Sequence, residues 1–452
     1  MIAVNALTVR YPGQDCDALA QMVLAAEPGE RILVSGATGC GKSTLGLALC
    51  GAIPEIVPAK RSGDIRICNR AIDGRPVREI ARDLGFLMQN VANQIFTDRV
   101  DEEIAFGLEN FGSPAQEMEE RIQRALDLVE GRHLRSRMIA TLSAGERQRI
   151  ALAALLAVDP QVLVLDEPLA YLDAGAADRL LGLLEGLARV KKTVLIFEHR
   201  RDMVRPAVDR EIYMAAGCTR AAPASMPGFS PIAPAGAGAP ALVFEGVDFT
   251  WSGTPPPLLA KISFAVRQGE SVVLLGDNGS GKTTILALAM GLLRPAAGRI
   301  INCGASVAKT PPGRLAKKAA LLFQNPDHQL HLPRVADEAG LGAAQGEAAR
   351  RALSAMGLSD LAERHPRSLS MGQKRRLTLA AALGRKPDLM LLDEPSVGQD
   401  DRSLAMVIEQ LGRYVCSGGA LLTATHDRRV ADALSHRCLV IEEGRIHDKI
   451  KR

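Results

Sequence analysis

The stretch Gly36-Ala37-Thr38-Gly39-Cys40-Gly41-Lys42-Ser43-Thr44 fits the pattern G-x-x-x-x-G-K-[ST]. It follows the apolar run 31–34 and precedes residues of helical character, so the sequence predicts a strand, a loop and a helix in that order. The glycines allow backbone N–H groups and the helix N-terminus to approach a phosphate closely. We therefore expect a phosphate-binding loop (P-loop), with Lys42 at the β- and γ-phosphates of a nucleotide and Ser43 on Mg²⁺.

A second stretch has the same pattern. Gly276-Asp277-Asn278-Gly279-Ser280-Gly281-Lys282-Thr283-Thr284 follows the apolar run 271–275. A chance glycine turn beside a lysine is the alternative for one copy, but its repetition makes that interpretation much weaker. The sequence predicts two nucleotide sites, the second with Lys282 at the phosphates and Thr283 on Mg²⁺.

The composition describes a globular protein rather than a membrane or nucleic-acid-binding one. The chain has 452 residues, enough for two or more domains, and is 47% hydrophobic and 23% charged. Its net charge of +4 is too small to indicate nucleic acid or an anionic membrane surface. Since it has no long uncharged apolar run, no signal-peptide pattern and no C-x-x-C pair, we expect a cytosolic chain with reduced thiols.

The chain repeats itself in order. The P-loops start 240 residues apart, at 36 and 276, Gln89 and Gln324 lie 235 apart, and the later matched residues keep a spacing of 227. This pattern indicates a tandem duplication whose variation is confined to a helical insert, predicted at 101–134 in the first copy. We expect a first domain at 1–214, an Ala/Pro/Gly linker without secondary structure at 215–241, and a second domain at 242–452. Residues 5–11 alternate like an edge strand, whereas 162–167 and 193–199 are typical of buried parallel strands.

Paired carboxylates end one of these buried strands in each copy. Asp166 and Asp393 are placed to hold Mg²⁺ against the phosphates, and Glu167 and Glu394 follow them, where they could polarise the attacking water. A helix cap is the ordinary explanation of a lone Asp-Glu pair. Its recurrence downstream of both P-loops favours the catalytic one.

Polar residues at other strand ends complete the two sets. His199 and His426 can contact the γ-phosphate, and Gln89 and Gln324 would approach Mg²⁺ and the water. Each alone would be an ordinary core or surface residue, but the matched spacing makes coincidence a poor explanation.

A serine begins a predicted helix in each copy. Ser143 with Gly145, and Ser370 with Gly372, offer hydroxyls, backbone N–H groups and a helix dipole suited to a γ-phosphate. A plain N-cap is the alternative for each serine.

Taken together, these residues resemble the ATP-binding-cassette (ABC) ATPases over nearly the whole chain. The P-loop, glutamine loop, signature serine–glycine, Asp-Glu pair, D-loop (Leu172-Asp173; Gln399-Asp400) and histidine occur twice in family order. The resemblance implies an α/β fold with two P-loop NTPase domains, each having a parallel-sheet core, an antiparallel edge subdomain and a helical insert. It also implies ATP and Mg²⁺ as cofactors.

In this family the signature of one cassette closes over the P-loop of the other. The resemblance therefore implies that the two cassettes pair intramolecularly, with Lys42 sharing ATP with Ser370 and Lys282 with Ser143. Tyr11 and Trp251 resemble the aromatic that stacks on adenine, although a core aromatic is the alternative for each. Two departures from the family pattern are Glu146 for the usual signature glutamine and Met371 for a usual glycine.

Part of each copy resembles the ATPases of energy-coupling factor (ECF) importers. The matching stretches are Gln324-Asn325-Pro326-Asp327-His328-Gln329 and residues 101–110, although 89–94 lacks the Pro-Asp pair. This implies an ATP-driven motor for micronutrient uptake, at the cytoplasmic face of the cell membrane. Its partners would be a membrane coupling subunit, received by the segments after Gln89 and Gln324, and a substrate-binding membrane subunit.

Two alternatives stay open. One is the fused ATPase of a sugar or peptide importer. The other, from a different class, is a soluble tandem-cassette ATPase acting on ribosomes or DNA. The uncharged linker and the absence of a basic tract disfavour the latter, so no nucleic-acid partner is expected.

Overall fold

Two similar sets of strands and helices follow each other along the chain, in the units Met1–Ser225 and Met226–Arg452. The structure is a computed structural model, and it describes residues 1–170, 172–221, 238–251, 257–341 and 346–449. Within these ranges no helix has both the length and the apolar character needed to cross a membrane.

The first unit contains ten strands and eight α-helices among its described residues. The strands are β1 Ile2–Arg10, β2 Leu19–Ala26, β3 Arg31–Gly36, β4 Lys60–Ile67, β5 Arg70–Ala71, β6 Leu84–Leu87, β7 Val162–Asp166, β8 Thr193–Phe197, β9 Arg210–Ala215 and β10 Cys218–Arg220. The helices are α1 Lys42–Leu49, α2 Ala52–Glu55, α3 Val77–Ile80, α4 Val100–Asn110, α5 Ala115–Leu128, α6 Ala144–Val158, α7 Ala174–Arg189 and α8 Arg201–Val204.

The second unit repeats this order, except that no helix corresponds to α2 among its described residues. Its strands are β11 Pro240–Phe249, β12 Leu259–Arg267, β13 Ser271–Leu275, β14 Ala297–Asn302, β15 Ala305–Ser306, β16 Ala319–Leu322, β17 Leu389–Asp393, β18 Ala420–Thr425, β19 Arg437–Glu442 and β20 Arg445–Lys449. Its helices are α9 Lys282–Ala289, α10 Pro312–Leu315, α11 Val335–Gly340, α12 Gly346–Ala355, α13 Met371–Gly384, α14 Asp401–Cys416 and α15 Arg428–Leu434.

Each unit has one antiparallel and one mainly parallel sheet, which confirms the predicted fold class. The antiparallel sheets have the orders β2-β1-β4-β5 and β12-β11-β14-β15. The mainly parallel sheets have the orders β10-β9-β3-β8-β7-β6 and β16-β17-β18-β13-β19-β20, with β10 and β20 antiparallel to their neighbours. The P-loop strands β3 and β13 are therefore interior strands of their sheets.

The parallel sheet of the first unit is buried on both faces. Along β3, Ile32 and Val34 pack towards the antiparallel sheet and α1, whereas Leu33 packs into the helical side. The same alternation occurs along β7 and β8, because successive strand side chains point to opposite faces. Two apolar layers thus fix the sheet, which explains the continuous hydrophobic runs in the sequence.

Two local predictions were wrong. β1 is not an edge strand, because it pairs with β2 on one side and with β4 on the other; β11 likewise lies between β12 and β14. The segment 215–241 is not free of secondary structure, because β10 pairs with β9 and β11 begins at Pro240. Residues 222–237 of the predicted linker lie outside the described residues, and the domain boundaries stay a prediction.

The helical insert differs between the copies where the sequence lost residues. In the first unit α4 has 11 residues, whereas the corresponding α11 has 6. The helix α12 is described from Gly346 onwards, and residues 342–345 before it lie outside the described residues. The difference seen in α11 therefore lies away from the sheet strands.

Two helical glycines of the first unit differ in what surrounds them. A Cβ at Gly46 in α1 would come within 2.6 Å of the Phe86 ring, whereas a Cβ at Gly182 in α7 would meet no described atom within 4 Å. Alanine is favoured over glycine in a helix by about 1 kcal/mol, but overpacking a core costs about 1–3 kcal/mol. We predict that Gly46→Ala lowers the denaturant midpoint of the purified chain and that the matched control Gly182→Ala raises it. A rise in both would contradict the close packing of α1 on Phe86.

Candidate nucleotide site

The strand order brings the candidate residues of each unit to one edge of the parallel sheet. Along β3, β8, β7 and β6, the carboxyl ends carry in turn the P-loop, His199, the Asp166–Glu167 pair and Gln89. Carboxyl ends of neighbouring parallel strands meet at one edge, which is where such sheets bind ligands. In the second unit, β13, β18, β17 and β16 carry the corresponding P-loop, His426, Asp393–Glu394 and Gln324.

The P-loop lysine folds back onto its own loop. Lys42 is 7% exposed, and its Nζ donates hydrogen bonds to the carbonyls of Gly36 at 2.7 Å and Ala37 at 3.2 Å. Gly41 has a φ of +107°, and a Cβ there would lie 2.5 Å from the Ala18 carbonyl, so the loop needs glycine at this position. Lys282 makes the same two contacts, with the carbonyls of Gly276 at 2.6 Å and Asp277 at 2.9 Å. Both ammonium groups are thus held within a loop shaped for an anion.

A hydroxyl and a carboxylate meet where Mg²⁺ is expected. Ser43 Oγ donates to Asp166 Oδ2 at 2.6 Å, and Thr283 Oγ1 donates to Asp393 Oδ2 at 2.8 Å. Asp393 Oδ1 is buried and has no hydrogen-bond partner among the described residues. Oxygen ligands of this kind are what Mg²⁺ prefers, so the residues present fit the ion.

Burial raises the pKa of both aspartates. It raises the pKa of Asp166 to about 7, with repulsion from Glu167 adding to the effect and the Ser43 hydrogen bond opposing it. Burial likewise raises the pKa of Asp393 to about 6, against the hydrogen bond from Thr283. A bound cation would favour the ionised form of both carboxylates.

The neighbouring glutamates have strained backbones and ionised side chains. Glu167 and Glu394 both have φ of +50°, a left-handed conformation that costs a non-glycine residue about 1–3 kcal/mol. Burial opposes ionisation of Glu167, but its contact with His199 and the charge of Lys42 hold its pKa below the usual value. The pKa of Glu394 is lowered against burial in the same way, by His426 and Lys282. Each glutamate is therefore able to accept a proton at neutral pH.

The glutamine and histidine of the first unit lie beside Glu167. Gln89 Nε2 donates to Glu167 Oε2 at 2.7 Å, and His199 Nδ1 lies 3.8 Å from Glu167 Oε1. Burial would lower the pKa of His199, but the adjacent Glu198 and Glu167 carboxylates raise it. In the second unit, His426 Nδ1 lies 2.9 Å from Glu394 Oε1. The backbone carbonyl of Gln324 accepts a hydrogen bond from Arg375.

The signature serines cap helices through reciprocal hydrogen bonds. In α6, Glu146 N donates to Ser143 Oγ at 3.2 Å and Ser143 N donates to Glu146 Oε2 at 2.7 Å. In α13, Ser370 and Gln373 form the same capping box. The departure from the family pattern at Glu146 therefore preserves the cap. Gly372 lies against the D-loop, since Gln399 Nε2 donates to its carbonyl at 2.9 Å and a Cβ on it would be 2.1 Å from the carbonyl of Gly398, the residue before that loop.

The two aromatic candidates have different surroundings. Tyr11 is half-buried and its hydroxyl lies 3.1 Å from Thr44 Oγ1, at the start of the P-loop helix. Trp251 is 55% exposed and packs edge-on against Phe249 at a centroid distance of 5.1 Å. Adenine stacking by either ring stays a prediction, as do the ligand-binding and catalytic roles of the other site residues.

Sequence reasoning missed residues that fix the loop after each glutamine. Gln94 accepts from Met88 N at 3.0 Å and donates to the Phe86 carbonyl at 2.6 Å. Glu103 accepts the N–H groups of Phe96 and Thr97 at 3.0 and 2.9 Å. Gln329 and Glu338 do the same in the second unit. They keep the 235-residue spacing of Gln89 and Gln324, so that spacing could have revealed them.

The sequence matches the family model described as ABC transporter twice, over residues 19–170 and 259–397. The chain therefore belongs to the ABC transporter family, which confirms the resemblance. It is an ATPase, and it uses ATP with Mg²⁺, as ABC ATP-binding proteins do.

Similar proteins match along nearly the whole chain. A Bacillus subtilis (strain 168) protein named "Putative HMP/thiamine import ATP-binding protein YkoD" is 31% identical, over 98% of this chain and 90% of its own length. A Methanosarcina acetivorans protein named "Putative ABC transporter ATP-binding protein" is also 31% identical, over 98% and 85%.

A solved structure has the same fold over both units. It is the complex of the archaeal ribosomal stalk protein aP1 with the archaeal ribosome recycling factor aABCE1, matched with a TM-score of 0.65. The sequence identity is 20%, over 98% of this chain and 89% of that one. At this identity the match is evidence for the fold only.

The pKa of Asp166 predicts how pH affects the chain without Mg²⁺ and nucleotide. Because its folded pKa is about 7 and its unfolded value is 3.8, the folded chain binds the extra proton between these pH values, and stability falls as pH rises through them. We predict that Asp166→Asn, which is neutral at every pH, stabilises the chain more at pH 8 than at pH 5. Urea unfolding at both pH values measures this.

Asp209 provides a control, because its pKa is shifted in the opposite direction to that of Asp166. The Arg31 hydrogen bond lowers the pKa of Asp209 despite some burial, so Asp209→Asn should lose stability at pH 8. An equal effect of Asp166→Asn at both pH values would contradict the raised pKa of the buried Asp166 carboxylate.

Proposed function

We propose that this chain is the ATP-hydrolysing motor of an ECF-like membrane importer that takes up a small micronutrient. The observation that carries the proposal is the match along 98% of the chain to a protein named for HMP/thiamine import. The ECF-like stretch 324–329 supports it independently. The chain would act at the cytoplasmic face of the cell membrane, with a membrane coupling subunit and a substrate-binding membrane subunit.

The site geometry supports a division of roles in hydrolysis. Lys42 and Lys282 would neutralise the phosphates, and the Ser43–Asp166 and Thr283–Asp393 pairs would hold Mg²⁺. Glu167 and Glu394, ionised and beside the histidines, would orient the water and take its proton. Gln89 donates a hydrogen bond to Glu167 and would adjust the position of that carboxylate when Mg²⁺ binds. Each P-loop would share its ATP with the signature serine of the other copy, as the family resemblance implies.

Removing the proposed bases gives the first test of this mechanism. We predict that Glu167→Gln and Glu394→Gln each slow turnover and retain bound ATP, because general-base catalysis contributes about 10²–10⁴-fold. Steady-state hydrolysis and nucleotide retention after gel filtration measure the two effects. As a control, Glu185→Gln removes a carboxylate from an exposed pair with Arg189 and should keep the wild-type rate. A full rate in either test variant would contradict the base assignment in that copy.

An exposed aromatic pair follows the glutamine loop of the first unit. Phe96 is 70% exposed and stacks on Phe106 at a centroid distance of 5.2 Å. Glu103 accepts the backbone N–H groups of Phe96 and Thr97, so the backbone that carries the exposed ring is held by hydrogen bonds. Exposed apolar surface of this kind marks an interaction site, and we propose that it receives the membrane coupling subunit. At the corresponding positions the second unit has His331 and the exposed Leu341.

Capture of partners tests the transport assignment. We predict that the tagged full chain recovers a multi-spanning coupling protein and a substrate-binding membrane protein from detergent-solubilised host membranes, identified by mass spectrometry. Phe96→Ser should reduce this recovery severalfold because it removes the aromatic contact. Val190→Ser, at a side chain 65% exposed elsewhere on the unit, should not.

The same experiment separates the alternatives. Recovery with only ribosomal or DNA-repair proteins, from the soluble fraction, would contradict the importer and support a soluble tandem-cassette ATPase. Recovery of a sugar or peptide permease would support a transporter function, but for a sugar or peptide importer instead of an ECF importer.

A further inference from the structure

The two units differ at the residue that precedes the site histidine. Glu198 precedes His199 at the end of β8, and Thr425 precedes His426 at the end of β18, with the same 227-residue spacing as the histidines. A carboxylate in one copy is thus replaced by a hydroxyl in the other, beside an otherwise matched site.

Glu198 is fully buried and holds the histidine loop, which here means the site histidine and the residue after it (His199 and Arg200). Its side chain is 0% exposed, and its Oε1 accepts the backbone N–H groups of His199 at 2.9 Å and Arg200 at 3.2 Å. The same oxygen lies 3.1 Å from His199 Nδ1, and Oε2 lies 3.8 Å from Arg200 Nη2. A buried carboxylate is costly unless it is paired. Here Oε1 carries the hydrogen bonds, to the backbone of His199 and Arg200, while Oε2 has no hydrogen-bond partner among the described residues.

In the second unit the corresponding contacts are made by Glu394. Its Oε2 accepts from Thr425 Oγ1 at 2.9 Å, and its Oε1 accepts the backbone N–H of His426 at 3.1 Å and lies 2.9 Å from His426 Nδ1. The glutamate expected to contact the water therefore also holds the histidine loop.

In the first unit these tasks fall to different side chains. Glu167 Oε1 is 3.8 Å from His199 Nδ1, beyond hydrogen-bond distance, while Glu167 Oε2 accepts from Gln89 at 2.7 Å. The ring nitrogen of His199 is closer to Glu198, at 3.1 Å. This contact is a charge contact without hydrogen-bond geometry, so Glu198 holds His199 through the backbone N–H groups of His199 and Arg200 and through its charge beside the ring.

We propose that Glu198 is a positioning residue that orients His199 towards the γ-phosphate. Glu167 then serves only to accept the hydrogen bond of Gln89 and to contact the attacking water. Glu394 performs both tasks in the second unit, and the two ATP sites are unequal as a result. This inference rests on the proposed roles of His199 and Glu167.

The test compares Glu198→Gln and Glu198→Thr in the purified full chain. Glu198→Gln keeps the side-chain volume, and Glu198→Thr installs the residue of the second copy. Both are made in a Glu394→Gln parent, so that the measured turnover reports on Glu167. We expect kcat to fall about tenfold, the effect typical of removing a carboxylate behind a functional histidine, with KM for ATP changed less than about twofold.

A spectroscopic measurement reports on the ring itself. The chain has eight histidines, so ¹⁵N-histidine NMR is tractable, with His199→Asn to assign the ring. We expect both Glu198 variants to shift the ring nitrogen resonances of His199. Glu211→Gln is the matched control: Glu211 is a largely buried carboxylate of the same unit, paired with Arg201 at 3.0 Å, and its loss should leave kcat and the His199 resonances unchanged.

Two results would overturn the proposal. Unchanged kcat and unchanged His199 resonances in both Glu198 variants would overturn the proposal. It would also be overturned if Glu211→Gln lowered kcat and shifted the ring as much as they do, because loss of any buried carboxylate would then suffice. Should the Glu394→Gln parent hydrolyse ATP at the wild-type rate, the base assignment would fail instead, and the NMR comparison would still test Glu198.

Discussion

In each unit, the arrangement of the site depends on one strand residue that pairs with a neighbouring strand on either side. In the first unit, Phe197 at the end of β8 is in register with Val34 of the P-loop strand and with Asp166 of the next strand. Its carbonyl also accepts the backbone N–H of Glu167 at 2.8 Å. A shift of one residue would turn every side chain of the strand to the other face of the sheet. This register therefore sets which loops meet at the carboxyl edge.

The second unit uses the same constraint with a different side chain. Ala424 is in register with Leu274 and Asp393, and its carbonyl accepts from Glu394 N at 2.8 Å. The backbone pairing is thus kept while the side chain that fills the layer changes from phenylalanine to alanine. The copies also differ around the sheet edge, where Glu198 is replaced by Thr425 and Gln148 by Arg375. Gln148 donates to the Pro168 carbonyl at 2.8 Å, whereas Arg375 reaches the carbonyls of Asp393 and Gln324.

Features encoded by short stretches of sequence could be predicted, and features that need distant pairing could not. The P-loops, the strand that ends in Asp166 and the duplicated order follow from local pattern and spacing, and the fold class was confirmed. The position of β1 within its sheet could not be predicted, because it is set by pairing with β4, some sixty residues away in sequence. The role of Glu198 could not be predicted, since neither its burial nor its contact with the His199 ring is visible in sequence.

The left-handed backbone at Glu167 and Glu394 has an evolutionary consequence. Glycine would adopt this conformation without strain, and asparagine or aspartate with less strain than glutamate. Backbone strain alone would therefore favour replacing both glutamates, whereas natural proteins tolerate such strain where activity needs it. After duplication, a copy released from catalysis could lose this strain by a single substitution at this position. Both copies still carry the strained residue.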